Sequence, residues 1–85
     1  MSIIYNLDVR CYEILEQLLY RDGYMTVQQI ADERGISKRS VYYDIRKINE
    51  WLEAQNIEPL EIERKKGILI EKEAKGVIRT RLKEI

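Results

Sequence analysis

The stretch from Thr26 to Lys47, TVQQIADERGISKRSVYYDIRK, limits the fold of this chain more than any other. It holds two helical patterns separated only by Gly35-Ile36-Ser37, and a turn that short forces the two helices to cross closely. Thr26 and Gln29 form a capping-box pattern, in which each side chain reaches the other residue's backbone amide. Val27, Ile30 and Ala31 supply a narrow apolar face, and Ala31 is small enough to let a second helix approach. Gly35 falls where the turn needs a positive φ or a missing side chain. Ile36 is expected to drop into the core from the turn, and Ser37 to cap the helix that follows.

That helix is predicted over Lys38 to Gln55, with Val41, Ile45, Ile48 and Leu52 on its buried side. Counting 100° per residue puts Arg39, Tyr43, Arg46, Lys47 and Glu50 opposite. Lys38, Tyr42 and Asn49 fall on one flank, and Ser40, Asp44 and Trp51 on the other. Asn56 suits the left-handed residue after the helix, Ile57 its hydrophobic follower, and Pro59 blocks continuation.

Charge matters here through its distribution, because the formal net charge is zero. Residues 1–36 carry six acids and three bases, residues 37–47 four bases and one acid, and residues 48–60 three acids and no base. Positive charge is therefore concentrated in the first turns of the third helix, where a groove-entering helix needs it; acids there would repel phosphate.

The remaining chain supplies supporting parts. Asn6 is expected to cap a first helix in which Leu7, Cys11, Ile14, Leu15, Leu18 and Leu19 recur at three- and four-residue steps until Asp22-Gly23. Met1 to Tyr5 has too little pattern to assign, and Tyr24-Met25 reads as a brief extended link. From Leu60 the period shifts to two: Leu60, Ile62 and Arg64 alternate with Glu61 and Glu63, and Ile68-Leu69-Ile70 forms a β-rich run. The intervening Lys65-Lys66-Gly67 suits a three-residue hairpin connection, with Arg64, Lys65 and Lys66 at a basic tip. Residues 73–85 read as a further helix carrying Ala74, Val77, Ile78, Leu82 and Ile85, with Gly76 weakening its early part. The expected fold is mainly α with a small β-hairpin, a winged helix-turn-helix over residues 1–72. Residues 73–85 are expected to form a C-terminal helix or linker leading into a further domain of a longer parent protein.

Eighty-five residues suffice for one small domain, burying on the order of 60% of its unfolded surface. A lone cysteine allows no internal disulfide, which suits a reducing, cytoplasmic setting. Cys11 lies on the apolar stripe and reads as a small buried hydrophobe. The longest aliphatic runs are far too short to cross a bilayer. With no histidine, one cysteine, no glycine-rich phosphate loop and no nucleophile motif, the chain lacks the parts for metal or covalent catalysis. No cofactor, metal or small-molecule ligand is expected. Glu61 and Glu63 are expected side by side on a solvated strand face.

The run TVQQIADERGISKRSVYYDIRKINEWL resembles the DeoR-type helix-turn-helix. Together with NEWLEAQNIEPLEIERKKGILIE it is similar to the N-terminal region of bacterial sugar-operon regulators that carry phosphotransferase-system (PTS) regulation domains. Those are the relatives of the mannitol and lichenan operon activators and of Mga-like regulators, often grouped with the BglG-family antiterminators. The resemblance spans about residues 7 to 72 and rests on Ile30-Ala31, Gly35-Ile36-Ser37, Val41, Asp44-Ile45, Ile48 and Lys66-Gly67. The same spacing occurs in other winged helices, including the N-terminal domain of the biotin repressor. Two departures stand out. Arg34 occupies a position that is more often Leu, and Tyr42 and Tyr43 stand where such proteins often carry bases. Arg34 is expected to pair with Asp44.

The turn, the basic helix face and the basic wing imply binding of double-stranded DNA, and the resemblance implies sequence-specific operator recognition by a bacterial transcriptional regulator, expected as a homodimer in the parent protein. Ser37 and Ser40 are assigned to phosphate at the positive end of the helix dipole, and Lys38, beside them, joins the DNA-facing set. Arg39 and Tyr43 are assigned to base edges, and Arg46 and Lys47 to base or phosphate on the far side of the groove. Tyr42 is set either at DNA or against the wing, and Arg64, Lys65 and Lys66 at the flanking backbone. Two other readings remain open: a winged helix used for protein contact or dimerisation, and the regulatory domain of a biotin-ligase-type enzyme. RNA-binding antitermination fits less well, because the family resemblance implies a small all-β domain for that task.

Overall fold

A computed structural model describes residues 7–84. The elements are α1 (Val9–Leu19), α2 (Val27–Arg34), α3 (Lys38–Ala54), β1 (Ile62–Glu63), β2 (Gly67–Ile68) and α4 (Lys72–Lys83). The strands pair antiparallel, Ile62 opposite Ile68 and Glu63 opposite Gly67. Three helices, a wing and a C-terminal helix make a winged helix-turn-helix, and the core is one cluster fed by every helix and by the wing. Ile14, Leu15, Ile30, Ile48 and Leu52 are fully buried, each worth about 1.5–3 kcal/mol relative to exposure. Among the described residues no helix is long and apolar enough to cross a membrane.

The helix-turn-helix forms as its local signals require. Gln29 N–H donates to Thr26 Oγ1 at 3.0 Å, and Thr26 N–H donates to Gln29 Oε1 at 2.8 Å, so both halves of the capping box are made. Gly35 ends α2 at φ 68, and Ile36 is half-buried against the core. Asn56 takes φ 60 after α3, and Ile57 N–H donates back to Leu52 O at 2.9 Å. That bond satisfies one of the carbonyls a helix end leaves open.

Several expectations need correction. Asn6, Met1 to Tyr5 and Ile85 lie outside the described residues. The cap of α1 is Asp8, whose Oδ1 accepts from Cys11 N–H at 2.9 Å, so the helix begins at Val9 rather than Leu7. Asp44 and Trp51, placed on an outer flank, are both buried. They stand with Val41, Ile45, Ile48 and Leu52 in steps of three and four, which widens the inner stripe of α3 at two of its turns. Arg34 does not reach Asp44; it pairs with Glu13 on α1, while Asp44 pairs with Arg10. Val77 is 48% exposed because the buried stripe of α4 runs Ala74, Ile78, Leu82 in strict steps of four. Ile62, on the alternating strand, is likewise exposed.

The hairpin is displaced by one residue from its expected register. Arg64, Lys65 and Lys66 form the connection, with Lys65 itself in the left-handed region at φ 70, and Gly67 is the first residue of β2. Gly67 is needed there for another reason. A Cβ on it would lie 2.2 Å from Met25 O, because the link before α2 pairs with β2. Met25 N–H donates to Ile68 O at 2.9 Å, and Ile68 N–H donates to Met25 O at 2.8 Å. The link is thus a third, one-residue strand tying the wing to the start of the helix-turn-helix.

α4 docks on the end of α1. Arg79 donates to Leu19 O at 2.9 Å, a carbonyl that the terminating helix leaves open, and Lys75 donates to Arg21 O in the link beyond it at 2.5 Å.

Candidate nucleic-acid interface

Ser37 and Ser40 open the interface. Ser37 Oγ accepts from Ser40 N–H and donates to Ser40 Oγ, both at 3.1 Å. That leaves the Ser40 hydroxyl proton uncommitted at the positive end of the α3 dipole, where an anion is favoured. Lys38, Arg39, Tyr42, Tyr43 and Arg46 are exposed on the next turns.

The wing stands beside this face. Lys38 and Tyr42 of α3 and Ile62, Glu63, Arg64 and Lys65 of the hairpin line an open groove of ≈ 480 Å³ floored by the start of α2. Two basic sites separated in sequence, the start of α3 and the wing tip, therefore form the walls of one channel. Tyr42 and Ile62 supply its apolar surface, so Tyr42 faces the wing across the groove. Lys66 leans the other way, 5.6 Å above the Tyr24 ring. The Tyr24 hydroxyl donates to Glu63 at 2.9 Å, a bond that raises the Tyr24 pKa. Glu63 is thus engaged, whereas the sequence placed it beside Glu61 on a bare solvated face.

Polar contacts tie α3 to α1 and to the chain before the wing. Asp44 is fully buried and takes a two-pronged contact from Arg10, Nε at 2.5 Å and Nη2 at 3.0 Å. The carboxylate raises the Arg10 pKa further. Such a fork fixes orientation as well as distance. Beside it, burial pushes the Cys11 thiol up to about 12, with Asp8 and Asp44 adding to the shift. Its Sγ donates weakly to Asp44 O at 3.7 Å. Cys11 is therefore a protonated core group. At the next turn Lys47 is half-buried and pairs with Asp8. Asn49 anchors the chain before the wing: its Oδ1 accepts from Leu60 N–H at 2.7 Å and its Nδ2 donates to Leu60 O at 3.1 Å.

Of the residues singled out from sequence, Lys38, Tyr42, Arg64 and Lys65 line the groove, and Ser37, Arg39, Tyr43 and Arg46 are exposed on the same helix or at its cap, with Ser40 half-buried. Lys47 and Lys66 are drawn into contacts within the protein. Sequence reading missed Asp8, Arg10, Tyr24, Met25 and Asn49. A signal existed for Arg10 only indirectly: an acid at Asp44, in step with Val41 and Ile48, requires a cationic partner from a facing helix. The others act across separations that carry no local pattern.

Comparison with protein families gives a match to the HTH domain model over residues 10–76. That span covers α2, α3 and the wing and reaches into α4. The chain belongs to the HTH domain family. It is a DNA-binding domain by that membership, and the groove and basic helix face lie inside the matched span. Neither the curated proteins nor the solved structures compared with the chain give a match.

Proposed function

We propose that this HTH domain is the operator-recognition unit of a bacterial transcriptional regulator and binds a particular duplex sequence. The observation carrying this reading is the shared groove, in which Lys38 and Tyr42 of α3 face Arg64 and Lys65 of the wing. In it α3 enters the major groove by its N-terminal half. Arg39 and Tyr43 meet base edges, Arg46 lines the far side, Ser37 and Ser40 take a phosphate, and Arg64 and Lys65 of the wing follow the flanking backbone. Carbohydrate operons of the PTS type are the proposed targets, supported by the resemblance of residues 7 to 72. A homodimer would place two copies on two half-sites. A further domain beyond α4 and a cytoplasmic location complete the proposal.

Selection from a pool of randomised duplexes tests it. One preferred sequence should emerge, with binding that weakens steeply as salt rises, since phosphate contacts release counterions. Equal, undetectable binding to every duplex at low salt would remove the reading. A protein-contact role is the second reading. It is favoured by a separate open groove between the wing and α4, rimmed by Glu58, Glu61, Glu63, Glu71 and Glu73.

A further inference from the structure

Asp8, Lys47 and Tyr43 form a chain of contacts that a phosphate-binding role for Lys47 leaves unused. Asp8 is fixed as the cap of α1, with φ −71 and ψ 170 and Oδ1 held by Cys11 N–H. Its other oxygen, Oδ2, pairs with Lys47 Nζ. That same Nζ stands 5.2 Å from the centroid of the Tyr43 ring, one turn earlier on α3. The Lys47 contact, followed by the Cys11 amide, lowers Asp8 to about 2, and Asp8 raises the Lys47 pKa in return.

Lys47 differs in this from its neighbours. Among the described residues Lys38, Arg39, Arg46, Arg64 and Lys65 make no ion pair, whereas the Lys47 charge is already met by a carboxylate and an aromatic face. An ammonium so engaged has part of its charge already met and is held away from a free reach to phosphate. Held in place, it fixes the ring beneath it, and Tyr43 remains 56% exposed toward the face assigned to DNA.

We propose that Lys47 is a positioning residue, anchored by Asp8, that holds Tyr43 in the conformation in which its ring and hydroxyl read one base pair. The ring suits an apolar contact such as the thymine methyl group, and the hydroxyl suits an acceptor or donor on the base edge. Ordering the ring in advance removes part of the entropy lost on binding and sharpens discrimination at that one position. The inference rests on the proposed entry of α3 into the major groove.

The test uses the duplex selected by the wild-type chain and its single-base-pair variants, titrated by fluorescence anisotropy at several salt concentrations. Lys47→Gln should lower discrimination at one base pair by about two- to five-fold, the range expected for loss of an exposed cation–π contact. The salt slope should stay within a few tenths of the wild-type value. Asp8→Asn, which keeps a capping side chain, should show a smaller loss at the same base pair. Lys47→Arg should retain the preference. In a Tyr43→Ala background Lys47→Gln should cost nothing more. The proposal is overturned if Lys47→Gln weakens all duplexes alike and flattens the slope by about one unit, the mark of a phosphate contact. It is equally overturned if Asp8→Asn tightens all duplexes and steepens the slope, because Asp8 would then be withholding such a contact. If the wild-type chain selects no duplex, the operator reading falls and this inference with it, a result distinguishable from both.

Discussion

Arg39 and Arg46 stand on α3, a 17-residue helix whose inner face is buried from Val41 to Leu52. Arg64, Lys65 and Lys66 stand at the tip of a hairpin with two residues in each strand. Both groups are cationic and exposed, but their supports differ in kind. The helix is fixed in rotation by Asp44 and Arg10, whereas the wing is held at its base by Met25, Asn49 and Tyr24, and its tip touches little else. Rigid mounting suits reading of base edges, which demands sub-ångström placement. A tethered tip suits phosphate, which rewards charge more than angle.

The largest expected effect attacks the mounting of α3. Asp44→Ala should lower stability by about 2–3 kcal/mol in chemical denaturation, through loss of a buried charge-assisted pair. Arg10→Met should destabilise more, because it strands the fully buried carboxylate, while Asp44→Ala merely releases a half-exposed arginine to solvent. If Arg10→Met proved the milder change, Asp44 would not depend on Arg10 and the fixed-rotation view of α3 would fail.

Gly67→Ala attacks the base of the wing. A Cβ meeting Met25 O at 2.2 Å, on a residue with φ 101, should cost about 2 kcal/mol or more. Hydrogen exchange should show the loss concentrated at Met25 and Ile68, with α3 spared. Uniform loss of protection would mean that wing and helix are one mechanical unit. Asn49→Ala should cost about 1–2 kcal/mol through its two bonds to Leu60. In this case the readout is faster exchange of the Leu60 amide.

The smallest effect concerns pH. Asp8 is depressed from its ordinary 3.8 to about 2, mainly by Lys47. A lowered folded-state pKa contributes stability that is complete above about pH 4 and fades as pH falls through about 2. The stability gap between wild type and Asp8→Asn should therefore close across that window. Its size should stay under about 1 kcal/mol, since the carboxylate is half exposed. A gap unchanged down to pH 2 would show that Asp8 and Lys47 are not paired in solution.

Features carried by neighbouring residues were legible in the sequence. The capping box of Thr26 and Gln29, the turn at Gly35, the cap at Ser37 and the stop at Asn56-Ile57 each depend on residues within a few positions, and each formed. The basic face of α3 followed from helical period alone. Features carried by tertiary partners were not legible. Asp44 looked like a flank residue until α1 supplied Arg10. Gly67 looked like a turn glycine, although its missing side chain serves the approach of Met25, and Lys65 takes the left-handed turn position instead. Lys47 looked like any other groove-facing cation until the cap of α1 met it. In each case the deciding partner lies more than thirty positions away, and no local period points to it.

The division of labour between helix and wing is tested most directly by salt-dependent binding of Arg39→Ala and Lys65→Ala to the selected duplex and to an unrelated one. Arg39→Ala should lose about 1–3 kcal/mol on the selected duplex and little on the other. Lys65→Ala should weaken both alike and flatten the salt slope by about one unit. If Lys65→Ala erased the preference while Arg39→Ala weakened both duplexes equally, the wing would be reading sequence and the helix serving as the phosphate clamp.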